Sequence, residues 1–150
     1  VSVPVIAAGG IADGRGIAAA IMLGASAVQI GTAYLFCPES TISAPHRRAL
    51  ATAAAHETVL TNVFTGRPAR GILNRVAREV GPMSPEAPAF PLAGGALAPL
   101  RAATEPSGSG EFMSLWSGQS AGLCRTVPAA ELTRHLADQA LGLLRRNTAS

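Results

Sequence analysis

Glycines that follow two short apolar runs are the residues in this sequence best suited to bind an anion. Gly9 and Gly10 follow the run VPVIAA, and Gly31 and Thr32 follow the run AVQI. Because glycine has no Cβ, the oxygens of a ligand can come close to the main-chain N–H groups. The Thr32 hydroxyl adds a further donor. The pattern predicts a shared phosphate site, although the same glycines would also suit tight turns that bind nothing.

The elements around these glycines are predicted to form a compact β-loop-α-β unit. Continuous apolarity from Val3 to Ala8 is typical of a strand buried on both faces of a parallel sheet. Asp13 is placed to cap a helix from Gly14 to Leu23, and Gly24 is placed to end that helix in a left-handed conformation. Ala27 to Ile30 then predicts a second strand, parallel to the first.

The rest of the chain is predicted to be helical, with a long irregular stretch. Ser43 is expected to begin a helix, Asn62 to Arg70 to form a loop, and Ile72 to Val80 to form a helix. Residues 81–110 are rich in Pro, Gly, Ala and Ser, which predicts short turns of helix at most. Pro128 to Arg146 is amphipathic and predicts a terminal helix. We expect three regions: 1–60 with the strands, the loop-rich 61–110, and 111–150 with the last helix.

Three phosphate-binding patterns compete for the opening glycines. Gly14 to Ala19 matches the dinucleotide pattern G-x-G-x-x-A, but Gly14 falls inside the predicted helix instead of directly after the strand. A P-loop requires a lysine, and the sequence contains none. In a (β/α)8 barrel, the loops after the seventh and eighth strands hold one phosphate together. That third pattern needs two successive strands with glycine ends, which this sequence provides.

Composition argues against several other classes of function. The chain is 48% hydrophobic and 14% charged, which favours a folded domain over disorder. Aromatic residues make up only 4%, so a basic surface interleaved with aromatics for nucleic acid is not expected. No apolar stretch is long enough to span a membrane. Cys37 and Cys124 lie far apart without ligand-spaced partners, which predicts no metal site and a reducing, cytoplasmic setting. Because the sequence opens on a strand without Met, we expect a piece of something longer.

The sequence resembles a known enzyme family in three blocks. VPVIAAGGIADGRGIAAAIMLGASAVQIGTAYL resembles the last two βα units of FMN-dependent nitronate monooxygenases, formerly 2-nitropropane dioxygenases, and of flavin-dependent enoyl-acyl-carrier-protein reductases. TGRPARGILNRVARE and MSLWSGQSAGL resemble later segments of the nitronate monooxygenases and favour that family. The resemblance implies an α/β fold: the C-terminal portion of a (β/α)8 TIM barrel, followed by a mostly helical C-terminal region.

The resemblance also implies which residues bind the cofactor. The residues expected to line the FMN phosphate and ribityl chain are Gly9, Gly10, Gln29, Ile30, Gly31 and Thr32. Trp116 and Gln119 match the late motif and are expected near the flavin edge or the substrate mouth. An alternative for Trp116 is that it packs the last helix onto the barrel. Arg67 and Arg70 are interpreted as a salt-bridged brace beneath the barrel.

No residue of this sequence is assigned as catalytic. The family's catalytic base is a histidine on an earlier strand, upstream of this sequence, whereas His46, His56 and His135 fall on predicted helices. Gly118 to Gly122 also fits the G-x-S-x-G elbow of α/β-hydrolases. However, Glu131 and His135 lie four residues apart on one predicted helix and could not form a relay beneath a separate serine.

The expected function is oxidation of alkyl nitronates or nitroalkanes by oxygen with FMN, with this chain supplying the phosphate-binding end. A base would remove the proton beside the nitro group when a nitroalkane is the substrate, and FMN would accept an electron from the nitronate. The alternatives are an enoyl-acyl-carrier-protein reductase, which would need a reduced nicotinamide, and a truncated, non-catalytic product. Two lone parallel strands leave edges exposed, which favours association and leaves a homo-oligomer open.

Overall fold

The computed structural model describes residues 1–148, which form two compact units. The first unit combines Val1–Thr41 with residues 119–148, and the second is Ile42–Gly118. In chain order the elements are β1 (Ile6–Ala8), α1 (Gly14–Met22), β2 (Ala27–Gln29), α2 (Thr32–Leu35), α3 (Ala44–Leu50), β3 (Thr58–Thr61), β4 (Ala69–Ile72), α4 (Arg75–Glu79), α5 (Ala93–Ala96), α6 (Ala98–Thr104) and α7 (Ala129–Thr148). Single turns of 3-10 helix occupy Ala53–His56, Glu105–Ser107 and Ala121–Leu123.

The predicted β-loop-α-β unit is confirmed. β1 and β2 pair in parallel, with Ile6 opposite Ala27 and Ala8 opposite Gln29. β1 is shorter than the predicted strand because Pro4 has no N–H to donate to a ladder. Gly24 ends the α1 region with a φ of +100°, the left-handed conformation expected there.

The predicted burial of β1 on both faces is wrong for the described chain. Val5 is 46% exposed and Ile6 is 60% exposed. Within residues 1–148, β1 and β2 form a two-stranded sheet, so neither strand has a second neighbour there. A strand in a parallel sheet is covered only when further strands and crossover helices pack around it.

The core of the first unit lies between the βαβ unit and the terminal helix α7. Its buried members are Ala12, Ala33, Cys37, Leu132 and Leu136. Of the predicted apolar stripe of α7, Leu132, Leu136 and Ala140 are buried, whereas Leu143 is half-buried. α1 packs along α7, and the Gly14 amide donates to Gln139 Oε1 at 2.6 Å.

The second unit contains a hairpin that the sequence did not indicate. β3 and β4 pair antiparallel, with Thr58 opposite Ile72 and Thr61 opposite Ala69. The predicted loop Asn62 to Arg70 is therefore wrong at its C-terminal end, and the predicted helix Ile72 to Val80 is replaced by β4 followed by a shorter helix, α4. Both strands are only four residues long, too short for a clear period-two pattern.

The other helices of the second unit follow their capping residues. Ser43 caps α3, as predicted, because its hydroxyl accepts from the His46 amide at 3.3 Å. Asn74 caps α4 through a bond from the Ala77 amide. Across residues 81–110 the regular structure is limited to α5, α6 and one turn of 3-10 helix, which agrees with the expected lack of long elements. None of the helices described in residues 1–148 is both long and apolar enough to cross a bilayer.

We predict that Gly14→Ala destabilises the first unit. A Cβ at Gly14 would lie 2.6 Å from Gln139 Cβ and 2.7 Å from the Ala140 amide nitrogen, so α1 and α7 would have to separate. Overpacking of this kind should lower the free energy of unfolding by about 1–3 kcal/mol. The change is measured by urea unfolding followed by circular dichroism.

Gly142→Ala on α7 is the matched control. Nothing lies within 4 Å of a Cβ at Gly142, so alanine should stabilise the helix by about 0.5–1 kcal/mol. Equal stability of the Gly14→Ala variant and the wild-type chain would contradict the close packing of α1 on α7.

Candidate functional site

The two glycine-rich strand ends lie side by side. Because Ala8 is opposite Gln29 in the parallel register, Gly9 follows β1 at the same edge where Ile30 follows β2. In parallel α/β sheets, ligands bind at the carboxyl ends of adjacent strands. The structure therefore brings the glycine pair and the Ile30 to Thr32 segment together, as the sequence predicted.

The main chain at this edge has open space in front of it. Gly9 and Gly10 have φ values of +94° and +70°, which L side chains rarely adopt. An ideal Cβ at Gly9, Gly10 or Gly31 would have no other atom within 4 Å. A ligand can thus approach the backbone where a larger residue would place a side chain, which fits a phosphate group.

The N-terminus of α1 is already occupied by its own cap. Asp13 accepts hydrogen bonds from the amides of Arg15 and Gly16, each at 3.0 Å. Arg15 Nη2 lies 2.7 Å from Asp13 Oδ2. Partial burial raises the pKa of Asp13, but the hydrogen bonds from Arg15 and Gly16 outweigh this and hold the pKa below its ordinary value. An anion at this edge would therefore meet the strand-end loops and not a free helix terminus.

The residues after β2 differ in what they can offer a ligand. The Ile30 side chain packs against the buried core of the first unit, so only its main chain is left for a ligand. Gln29 is exposed at the last position of β2, and Thr32 is the first residue of α2. Gln29 and Thr32 are thus the polar side chains at this edge that a polyhydroxylated group could reach.

The two residues of the late motif fall in different units. Trp116 belongs to the second unit, where its ring meets Phe64 edge to face at a centroid distance of 5.2 Å and an interplanar angle of 80°. Its carbonyl oxygen is 2.8 Å from His46 Nε2. Gln119 belongs to the first unit and is exposed.

Within residues 1–148, Arg67 and Arg70 contact groups other than the predicted acidic partners. Arg70 Nη1 donates to the carbonyl and hydroxyl oxygens of Thr58, each at 3.2 Å. The Arg67 guanidinium lies 4.5 Å from the centre of the Phe90 ring, a cation–π contact. The sequence predicts acidic partners for both arginines. In the folded chain, Arg70 instead bonds to Thr58 on the neighbouring strand, and Arg67 contacts the Phe90 ring.

The hydrolase alternative gains no support from the structure. His135 lies on α7 with Glu131, as predicted, and its Nε2 is 3.5 Å from Arg125 Nη1. The carbonyl oxygen of Ser120 accepts from the Cys124 thiol at 3.5 Å. Burial, and secondarily Cys37, raises the pKa of that thiol to about 11, so it is protonated and a poor nucleophile near neutral pH.

Comparisons with known proteins agree with this architecture. The family model for nitronate monooxygenase matches residues 1–139. The chain belongs to the nitronate monooxygenase family. This family member is 47% identical over 142 residues to a nitronate monooxygenase from Pseudomonas aeruginosa, and 38% identical over 146 residues to a probable nitronate monooxygenase from Staphylococcus saprophyticus.

Solved structures resemble this nitronate monooxygenase family member over nearly its whole length. A nitroalkane oxidase from Streptomyces ansochromogenes superposes with a TM-score of 0.87 and 43% identity, and covers 99% of the chain. FabK from Thermotoga maritima superposes with a TM-score of 0.77 and 35% identity, and also covers 99% of the chain.

This chain spans less than half the length of these relatives. The alignments include 94% of the chain but 40% of the Pseudomonas protein, and 97% of the chain but 41% of the Staphylococcus protein. The superpositions include 42% of the Streptomyces protein and 48% of FabK.

Sequence reasoning missed the contacts that hold Trp116 in this family member. The sequence predicts neither the bond of His46 to the Trp116 carbonyl nor the two bonds that the Asn74 side chain donates. Asn74 Nδ2 donates to the carbonyl oxygens of Gly110 and Met113, at 3.0 and 2.9 Å. An asparagine directly before a helical run is a capping signal that could have been noticed. The partner of His46 lies 70 residues away, and no local pattern indicates it.

We predict that His46 makes the second unit less stable as the pH falls. Burial lowers the pKa of His46, and the bond to the Trp116 carbonyl offsets this only in part. As the pH falls, His46 therefore takes up a proton in the unfolded chain before it does so in the folded chain. Neutral His46 contributes fully to the free energy of unfolding above the unfolded pKa of about 6.5, and this contribution decreases below it. In urea titrations between about pH 6.5 and pH 5, His46→Gln should weaken the dependence of the unfolding free energy on pH.

Gly142→Ala, which removes no titratable group and lies in open space on α7, is the control and should keep the wild-type dependence. If the unfolding free energies of wild type and His46→Gln depend equally on pH, His46 is not held in its neutral form.

Proposed function

We propose that this chain is the phosphate-binding end of an FMN-dependent enzyme that oxidises alkyl nitronates with oxygen. The observation that carries the proposal is the pair of adjacent strand ends, Gly9–Gly10 and Ile30–Thr32, with open space in front of their backbones. Membership in the nitronate monooxygenase family supports the substrate class. The nitroalkane oxidase from Streptomyces ansochromogenes, with its TM-score of 0.87, supports the same class.

The strands are proposed to be the last two of a (β/α)8 barrel. The exposed side chains of Val5 and Ile6 support this, because neighbouring strands and helices would cover them in a closed barrel. In that fold, the loops after the last two strands form the usual phosphate site.

Each residue at the strand ends has a proposed role toward FMN. The main-chain N–H groups of Gly9, Gly10 and Gly31 would hold the phosphate. Gln29 and Thr32 would meet the ribityl hydroxyls, and Ile30 would contribute its backbone. When bound, FMN would supply the electron-accepting chemistry.

The proton-abstracting base is proposed to lie outside this sequence, as the resemblance implies. Of the chain's histidines, His46 is bonded to the Trp116 carbonyl and His135 lies beside Arg125. His56 ends a turn of 3-10 helix in the second unit. The resemblance implies a base on an earlier strand, so we assign this chain a binding role and no proton transfer.

A second candidate function is a flavin-dependent enoyl-acyl-carrier-protein reductase. The opening block resembles that class as well, and the similarity to FabK from Thermotoga maritima, at 35% identity, favours keeping it. The two candidates differ in electron donor. Anaerobic bleaching of bound FMN by an alkyl nitronate supports the first, and bleaching by NADH supports the second. Retention of FMN with bleaching by neither donor supports a non-catalytic binding chain.

We predict that the chain binds FMN through its phosphate. Titration of the 150-residue chain, followed by flavin fluorescence, should saturate with FMN, whereas riboflavin should bind at least about 10-fold more weakly. Hydrogen bonds to a charged group are worth about 1.5–3 kcal/mol each, and about 1.4 kcal/mol corresponds to tenfold. Light scattering on the same sample establishes whether the binding species is compact. Equal affinity for FMN and riboflavin would contradict a phosphate site.

We also predict that Gly31→Val weakens FMN binding at least about 10-fold without unfolding the domain. Gly31 has an ordinary φ of −104° and open space around its Cβ position, so the new side chain would meet the phosphate and not the protein. Gly142→Val, in open space on α7, is the matched control and should retain FMN. Full FMN affinity in Gly31→Val would remove Gly31 from the proposed site.

Gly10→Val would be a poorer test of the phosphate site than Gly31→Val. The Gly10 φ of +70° is strained for a β-branched residue. Loss of flavin in that variant would therefore combine backbone strain with obstruction of the phosphate.

A further inference from the structure

Residues 110–117, which we term the Trp116 segment, are held against strand β4 of the second unit by main-chain hydrogen bonds. The Ile72 amide donates to the Leu115 carbonyl at 2.8 Å, and the Ser117 amide donates to the Arg70 carbonyl at 3.4 Å. Gly71 forms a β-bridge with Trp116 between these bonds. The segment thus lies along β4 like a short third strand beside the hairpin.

His46 adds the bond that fixes the Trp116 peptide itself. Its side chain projects from α3, is 6% exposed, and places Nε2 2.8 Å from the Trp116 carbonyl oxygen. A carbonyl oxygen has no proton to donate, so Nε2 must carry the hydrogen of this bond. The bond therefore specifies the Nε2–H tautomer of the imidazole.

Phe64 limits where the indole can lie once the peptide is fixed. Phe64 is completely buried, and its ring meets the indole nearly at right angles. A Cβ at Gly71 would lie 2.7 Å from Phe64 Cε2 and 2.8 Å from the Leu115 carbonyl oxygen, so this ring is closely confined. Because the Trp116 backbone is anchored, the indole can move only by rotation about its two side-chain torsions. The edge-to-face contact with Phe64 restricts both rotations.

We propose that His46 is a positioning residue for Trp116: its Nε2–H bond to the Trp116 carbonyl orients the indole against Phe64 for contact with the bound nitronate. The inference rests on the proposed function for the nitronate substrate, but the positioning contact itself lies entirely within the second unit. His46 acts on the reaction only through Trp116, so it is not a catalytic residue.

Intrinsic fluorescence tests the positioning step directly because Trp116 is the only tryptophan in the chain. His46→Leu removes the donor, while His46→Gln keeps an N–H donor on a side chain of similar reach. We expect His46→Leu to shift Trp116 emission to longer wavelength and lower its anisotropy. His46→Gln should restore both toward the wild-type values, and His135→Leu in the first unit should change neither. A folded His46→Leu with wild-type emission and anisotropy would overturn the proposal.

Nitrogen-15 NMR of the wild-type imidazole tests the same bond even when His46→Leu does not fold. An Nε2–H proton that exchanges slowly and shows a nuclear Overhauser contact to the Trp116 segment supports the proposal. The Nδ1–H tautomer, with Nε2 unprotonated, would overturn it.

The role of Trp116 is tested separately with a small alkyl nitronate on the FMN-loaded chain. Ethyl nitronate should change Trp116 emission saturably in wild type and His46→Gln, with roughly 10-fold weaker affinity in His46→Leu. Emission that does not respond to the nitronate in any variant would refute the contact of Trp116 with the nitronate. The fluorescence and NMR tests of positioning do not depend on that result, so the two failures are distinguishable.

Discussion

Parallel strands run in the same direction, so their carboxyl ends emerge at one edge of a sheet. In this chain the register of β1 on β2 sets Ala8 opposite Gln29, and two glycine-rich turns are therefore neighbours. The crossover helix α1 enforces the parallel direction, and Asp13 begins that helix by accepting two of its free amides. Without this pairing, the conformations of Gly9 and Gly31 would be unrelated, and no common site would exist.

The terminal helix α7 supports the strand pair from the far end of the sequence. Gly14 allows α1 to approach α7 closely, and Leu132 and Leu136 supply the apolar face that covers Ala12 and Cys37. The proposed phosphate site thus depends on a helix more than a hundred residues away, which explains why residues 119–148 belong to the same unit as the opening strands. The apolar surface left on β1 is consistent with a chain that spans about 40% of its Pseudomonas relative.

The second unit is organised around buried polar groups that satisfy main-chain atoms. Asn74 and His46 are both buried, and their side chains bond to carbonyl oxygens of the Trp116 segment. Burying an unpaired amide or imidazole would be costly, so each residue specifies the position of the segment it bonds. The contact of Phe64 with Trp116 joins this polar framework to the apolar cluster of Val63, Val76 and Ala77.

The sequence by itself determined the local structure of the first unit. The glycine turns, the Asp13 cap, the left-handed Gly24 and the apolar stripe of α7 all depend on residues close together in the chain, where pattern and propensity are informative. Only the tertiary structure decided the hairpin β3–β4, because each strand is four residues long and is stabilised by its partner more than by its own pattern. It also decided the partners of Arg67, Arg70 and His46, since hydrogen-bond and ring contacts between distant residues depend on how the chain packs and leave no periodic signal in the sequence.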